Sequence, residues 1–446
     1  MKNLILLTVL LGTVVCYGAN NVTQWRGEER RGIFHEKNLL KDWKAQPPKE
    51  LWFTEELGDT YASVVVVDGK VYTTGITRYD TDEDDPKEEG KKIQNYDGRE
   101  LLYALDAKDG KLLWSVQYGE SAGGKDPKGR VYPPARCTPT YADGHLYAVT
   151  GNGDIACVST DGKIVWQANL EKDFGGRKPQ FGWSVMPVVH DNKVIFPVFS
   201  TEGEMIALDA KTGKKVWLSE PLPDSGPSNV SPNLVDHKGK KKVIGINGSY
   251  IYGIDPADGK FQWRAPLTED LKANSPEGSH WGAYNITPVL VDDLVISSAG
   301  YKMGTYAYRV NDAFTEAKFE WINTDFDSRH YHFVVDDGAV WIVGGQSTMS
   351  GYLGALDIKT GKEITKTQWK QVGSVTAADG MLYCQAEWAG LSLFEMNKDE
   401  IAHRGGIGIR GLLKDKQHFN WSHPVIADGV LYARKGNALT AFDVKK

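Results

Sequence analysis

Cysteine is nearly absent from this chain, with four in 446 residues at positions 16, 137, 157 and 384. So sparse a set excludes a disulfide-stapled scaffold and supplies no structural zinc spacing. Long hydrophobic runs are missing too. The apolar stretch from Leu4 to Val15 is shorter than the ~20 residues a membrane helix needs. Basic excess is also lacking: 52 Lys and Arg stand against 58 Asp and Glu, a net charge of −6, which argues against general nucleic-acid binding. No paired-histidine zinc spacing and no phosphate loop occur.

What is present is a repeat. Met205 to Trp217, MIALDAKTGKKVW, reads as a β-hairpin: an alternating strand, a turn built on Asp209, Thr212 and Gly213, and the start of a second strand from Lys214, with Trp217 ending the unit. An indole at that point buries about 150 to 250 Å² and suits a wedge between stacked sheets. The pattern A-x-D-x-x-x-G-x-x-x-W recurs at Ala104, Asp106, Gly110 and Trp114, and with Gly for Ala at Gly253, Asp255, Gly259 and Trp263. Ala156, Gly162 and Trp166 lack the Asp, and Ala355, Asp357 and Gly361 lack the Trp.

Before each such hairpin stands another, hinged on an Asp-Gly-like turn. These turns are Asp68-Gly69, Asp143-Gly144, Asp191-Asn192, Lys238-Gly239, Asp292-Asp293, Asp337-Gly338, Asp379-Gly380 and Asp428-Gly429. Such dipeptides tolerate the positive φ of tight hairpins. Two hairpins give four strands per unit, and a spacing of about 50 residues, widened to 75 by one insertion, fits propeller blades. The last unit stops at Asp443 without its closing strand, while Pro48 to Trp52 reads as an outer strand lacking its first three. Together they complete one blade, which predicts an all-β, eight-bladed propeller of four-stranded antiparallel blades closed by its termini.

These hairpins and their x-S/T-x-P-V-x-x-D-G lead-ins resemble the pyrroloquinoline quinone (PQQ)-like repeat β-propellers over about residues 22 to 446. The resemblance implies the fold more than the activity. It covers quinone-dependent alcohol dehydrogenases, a non-catalytic lipoprotein of the outer-membrane assembly machinery, and secreted propellers of unknown role. The opening Gln24 to Gly32, QWRGEERRG, with Leu39, Leu40 and Trp43, is similar to the last group. Those dehydrogenases usually carry two adjacent cysteines against their cofactor, and this chain has no such pair.

Taken in order, residues 1–18 read as a secretory signal, with Lys2, the Leu4–Val15 core and small residues at Cys16 and Gly18. Membrane contact is expected only if Cys16 is a lipid anchor. Residues 19–47 form an N-terminal arm expected to pack across one face, with Arg26 or Arg31 as alternatives facing a ligand. Residues 48–446 form the propeller. Cys137, Cys157 and Cys384 read as small buried hydrophobes. The acidic insertion at about 77–100 lacks the glycine and distal glutamate of an EF-hand and reads as a solvated loop. Gly405 to Gly411 lacks the helix a nucleotide site needs and reads as a lead-in loop of the last blade.

Both turns of every blade lie on one face, so the lead-in loops converge on the axis at the other. There they gather Tyr61, Arg136, Trp183, His280, Tyr284, His330, His332 and Trp421, with Tyr132, Asn229, Trp281, Arg329 and His423 nearby. Aromatic, cationic and imidazole groups at one mouth suit a planar or sugar-like ligand; the alternative is a channel plug. If extended, His330 and His332 share a strand face and could hold a metal or act as acid and base. Trp52, Trp114, Trp166, Trp217 and Trp263 are assigned as structural anchors.

The preferred function is an exported, periplasmic or extracellular binding scaffold. It is expected to be a monomer that meets an envelope protein or carbohydrate, without nucleic acid, metal or cofactor. The alternatives are an extracellular polysaccharide-acting enzyme, which needs two carboxylates across the axis, and a PQQ dehydrogenase with calcium.

Overall fold

Left-handed backbone marks where the chain reverses. Each of the eight Asp-Gly-type turns has its first residue at positive φ, from 47° at Asp143 and Asp191 to 54° at Asp292, the twist that lets a two-residue turn join right-twisted strands. A computed structural model describes residues 20–78, 98–121, 135–223, 226–275, 284–345, 349–411 and 420–446. The acidic run from Tyr79 to Asp85 falls outside those residues, as do Tyr132, His280 and Trp281.

The strands assemble into eight sheets. Blade 1 runs Val65–Val67, Lys70–Arg78, Gly98–Asp106, Leu112–Ser121, from axis to rim. Blades 2 to 6 repeat this order through Thr140–Asn169, Val188–Leu218, Asn233–Ala265, Val289–Asn323 and Phe333–Gln368. Blade 7 comprises Gly373–Ala378, Met381–Ala386, Leu391–Glu395 and His403–Ile407. The glycine-rich stretch read as a lead-in loop therefore begins inside blade 7's outer strand: Gly405 and Gly406 pair with Leu393 and Ser392.

Closure is as expected. Lys49–Thr54 pairs antiparallel with Ala438–Asp443 and becomes the outer strand of blade 8, beside Val430–Lys435 and Val425–Ala427. No edge is left at the seam.

Four of the five assigned wedge tryptophans, Trp52, Trp114, Trp166 and Trp217, pack on the turn glycine of the next blade. A Cβ on Gly162, Gly213 or Gly259 would stand 2.8, 2.7 and 2.5 Å from the indoles of Trp114, Trp166 and Trp217. The same indoles donate Nε1–H to turn carbonyls of Thr160, Ala210 and Pro256 at 3.0, 2.9 and 3.1 Å. Trp52 repeats this on Ala107 at 2.9 Å, as does Trp321 on Ile358 at 3.1 Å. Trp263 departs from the rule. Its indole leans on Phe314 at 5.7 Å, and its Nε1–H has no acceptor. That explains glycine in place of alanine at 253, where a Cβ would meet the displaced Trp263 indole at 2.4 Å and Phe314 at 2.6 Å.

The arm does more than cross a face. From Asn20 it enters the axis at the turn side, pairs Val22 with Val66, turns back between Trp25 and Gly32, and leaves with Ile33–Phe34 parallel to Ala377 and Ala378. Only its second half lies across a face: Leu40 and Trp43 bond to Val444 and Arg404 of blades 8 and 7. Trp25 and Trp43 are buried. Cys137, Cys157 and Cys384 are free and buried.

Candidate functional site

Two positions past Tyr61, Arg136, Ser184, Asn229, Asn285, His330, Val372 and Trp421 stands a small polar or imidazole residue, or Met186 in blade 3, and that second position is stitched from blade to blade. Ser63 N donates to Thr138 Oγ1 at 2.9 Å, Met186 N to Ser231 Oγ at 3.0 Å, and His423 N to Ser63 Oγ at 2.8 Å. Thr287 N donates to His332 Nε2 at 3.2 Å, so His332 carries its proton on Nδ1 and donates to His330 O at 3.2 Å. Burial, with Arg26 nearby, holds His332 well below the ordinary imidazole range. It is a neutral structural group.

His330 and His332 do not act as a pair. His332 has φ 57° and precedes the strand that starts at Phe333, so the two rings meet different partners. His332 packs edge-on against Trp25 at 4.6 Å and His423 at 5.1 Å, making the floor of the mouth. His330 instead stacks on Trp421 at 4.2 Å, and Trp421 meets Tyr61 at 4.7 Å. Three rings from blades 6, 8 and 1 thus form one surface. Desolvation, then the charges of Arg329 and Arg136, lower the pKa of His330 to about 3.

A carboxylate missed in the sequence fixes this group. Glu387 in blade 7 accepts Trp421 Nε1–H at 2.7 Å and Tyr331 O–H at 2.9 Å. Burial pushes its pKa up, opposed by these bonds and by Arg329. The same device joins other blades: Glu100 accepts Tyr118 O–H and Gly151 N–H, both at 2.8 Å, and Glu204 accepts Tyr252 O–H and Asn247 Nδ2–H, both at 3.0 Å. No sequence spacing links these partners, so only the periodic placement of acids at strand ends could have signalled them.

Around the fixed rings, loops of three consecutive blades raise exposed anchors: Tyr301 in blade 5 (46 %), Met349 in blade 6 (83 %) and Trp388 in blade 7 (51 %). Arg329 lies 5.5 Å from the Tyr301 ring. Of the remaining mouth candidates, Arg136 stays near enough to His330 for its charge to act on that ring, while Trp183 and Tyr284 lie elsewhere. Trp183 is wholly buried, stacked on Phe199 at 5.9 Å between blades 2 and 3. Tyr284 meets Thr268 at 3.3 Å beside blade 5, and Arg136 donates to Phe181 O at 2.6 Å. His280 lies outside the described residues. On the turn face, the arm frames a separate cleft of about 410 Å³ over Val22, Phe34 and Ile426.

Gly119 to Gly123, GESAG, matches the nucleophile-elbow pattern. Ser121, however, is buried at the end of the extended strand Leu112–Ser121 rather than exposed on a tight turn. Among the described residues no group of three His, Cys, Asp or Glu is placed to hold a metal ion.

Comparison with known proteins places this architecture. The family described as outer membrane protein assembly factor BamB matches residues 98–371, well over half of the chain. The chain belongs to this family of PQQ-like repeat propellers. It is similar to the outer membrane protein assembly factor BamB of Kangiella koreensis, 25 % identical over 45 % of this chain and 44 % of that protein. The BamB structure from Moraxella catarrhalis superposes with TM-score 0.56 at 12 % identity, covering 89 % of this chain and 99 % of that one. A quinohemoprotein alcohol dehydrogenase from Comamonas testosteroni superposes with TM-score 0.63 at 13 % identity, covering 96 % and 81 %. The chain spans less than half the length of the curated relatives it matches.

Proposed function

We propose that this member of the BamB-like propeller family is an exported binding scaffold that engages an envelope protein through the mouth face of blades 5 to 8. The observation that carries the reading is the placement of Tyr301, Met349 and Trp388 on consecutive blades around the Glu387-braced rings. Interface cores are enriched in aromatic residues, Met and Arg, and a few buried anchors supply most of the affinity. Here Arg329 completes that set beside Tyr301. Scaffolding needs no reacting group at the mouth, and the two mouth histidines are held neutral by burial.

The family's quinone enzymes make a cofactor held with calcium the natural competitor. The donor set for a metal is lacking among the described residues, and the cysteines are separate and buried. Carbohydrate is the second reading, favoured by the stacked His330 and Trp421 rings at 4.2 Å, since sugar faces also dock on aromatic planes.

The test is binding of a candidate envelope protein to purified wild type, Trp388→Ala and Tyr301→Ala, with soluble oligosaccharide as competitor. Trp388→Ala is expected to weaken protein binding at least tenfold, about 1.4 kcal/mol. Unchanged affinity in both variants would refute the mouth-face assignment. Displacement by oligosaccharide would favour the second reading.

A further inference from the structure

The tip of the arm carries two arginines into the middle of the ring. Arg26 and Arg30 are each 1 % exposed, where a guanidinium is almost never found unless paired with an acid. Here every acceptor is a main-chain carbonyl. Arg26 donates from Nη1 to Val375 O at 3.0 Å, from Nε to Arg30 O at 3.2 Å, from Nη2 to Arg31 O at 3.4 Å, and also to Phe333 O. Arg30 donates from both terminal nitrogens to Met186 O at 3.1 Å, from Nη2 to Pro187 O at 2.8 Å, and also to Pro232 O. Phe333 and Val375 belong to the innermost strands of blades 6 and 7, and Met186, Pro187 and Pro232 lead directly into those of blades 3 and 4; no strand pairs along the inner edges of blades 3, 4 and 6, and in blade 7 Ile33–Phe34 pairs only with Ala377 and Ala378.

The arm's backbone is bent to reach these seats. Arg26, Glu29 and Arg30 have φ of 62°, 47° and 54°, a left-handed conformation non-glycine residues adopt only when surroundings impose it. Gly27 and Gly32 supply the rest at 71° and 76°. Burial lowers both guanidinium pKa values to about 9, so both remain charged at neutral pH. A planar fork matched by several carbonyls at once is a recognition geometry in its own right.

We propose that the axial channel is a two-seat receptor for planar guanidinium cations, filled in cis by Arg26 and Arg30. The carbonyls belong to the ring rather than to the arm, apart from Arg30 O and Arg31 O, so an emptied seat keeps most of its acceptors. A free guanidinium ion is the matching ligand for such a seat.

The test uses full-length Arg26→Ala and Arg30→Ala, with thermal unfolding followed at guanidinium chloride concentrations on the order of 10 mM. Sodium chloride and urea at equal concentration serve as controls. Both variants should melt below wild type. Guanidinium should raise their Tm saturably, by about 2 °C at ten times its dissociation constant. Wild type should not respond, and neither should Arg31→Ala, whose side chain is one-third exposed and reaches Leu290 O and Glu29 instead. If Arg30→Ala is not recovered folded, Arg30→Ser takes its place: Ser leaves the seat without a cation, so it too should be stabilised by guanidinium. A Tm that follows sodium chloride in every variant overturns the proposal.

Discussion

The two faces of the ring are built on opposite rules. On the turn face one contact is repeated: the tryptophan at the third position of an outer strand lies on the turn glycine of the next blade and donates to a carbonyl of the same turn, as Trp114, Trp166 and Trp217 do on blades 2, 3 and 4. On the mouth face the equivalent positions differ in nearly every blade: Tyr61, Arg136, Ser184, Asn229, Asn285, His330, Val372 and Trp421. Where every blade needs the same thing, the requirement is packing. Where neighbours at equivalent places differ, the residues are released from the repeat and available for one particular partner.

The largest break in that comparison is expected from removing Lys49–Thr54, which strips blade 8 of its outer strand and reopens the ring. Cooperative thermal unfolding by circular dichroism should disappear, whereas a melt like wild type's would deny closure. Next comes Trp217→Ala, expected to cost about 3 to 5 kcal/mol in denaturant unfolding as a large-to-small change at a buried wedge. Trp263→Ala sharpens the point. With no hydrogen bond to lose, it should cost about 1 kcal/mol less than Trp217→Ala.

Glu204 tests whether the mouth side has structural acids as well as binding groups. Burial raises its pKa from 4.5 to about 7, against the opposing bonds from Asn247 and Tyr252. The folded protein therefore holds a proton that the unfolded chain releases near pH 4.5. The resulting stability is complete below that pH and lost as pH rises through about 7, a change of about 3 kcal/mol. Glu204→Gln should flatten the fall between pH 5 and 8 in denaturant melts. Equal slopes in both proteins would show that Glu204 titrates normally. The smallest stability effect belongs to Trp388→Ala, half-exposed on the rim, at about 0.5 kcal/mol or less.

How much of this was readable beforehand follows the same division. The Asp-Gly turns, the Trp wedges and the shared blade announce themselves because period, turn chemistry and packing all act within one repeat. Tyr61, His330 and Trp421 could be placed at one mouth by their equivalence in the repeat, yet the same reading put Trp183 beside them, one residue before the equivalent Ser184, and it lies wholly buried against Phe199. A slip of one residue along an extended lead-in sends the side chain to the opposite side. Glu387 escaped because its partners, Tyr331 and Trp421, are 56 and 34 residues away. The arm's path escaped for a stronger reason. Arg26 and Arg30 look like surface charges in sequence, and only the convergence of carbonyls from four blades makes the axis able to hold them.

The central claim is that the mouth face, not the wall, meets the partner. A photo-activatable residue at position 388, compared with one at Val216 on the outer wall, where an exposed aliphatic side chain also stands, tests it in the intact envelope. The account predicts one discrete protein adduct from position 388 and none from 216. A discrete adduct at 216 with none at 388 would contradict it.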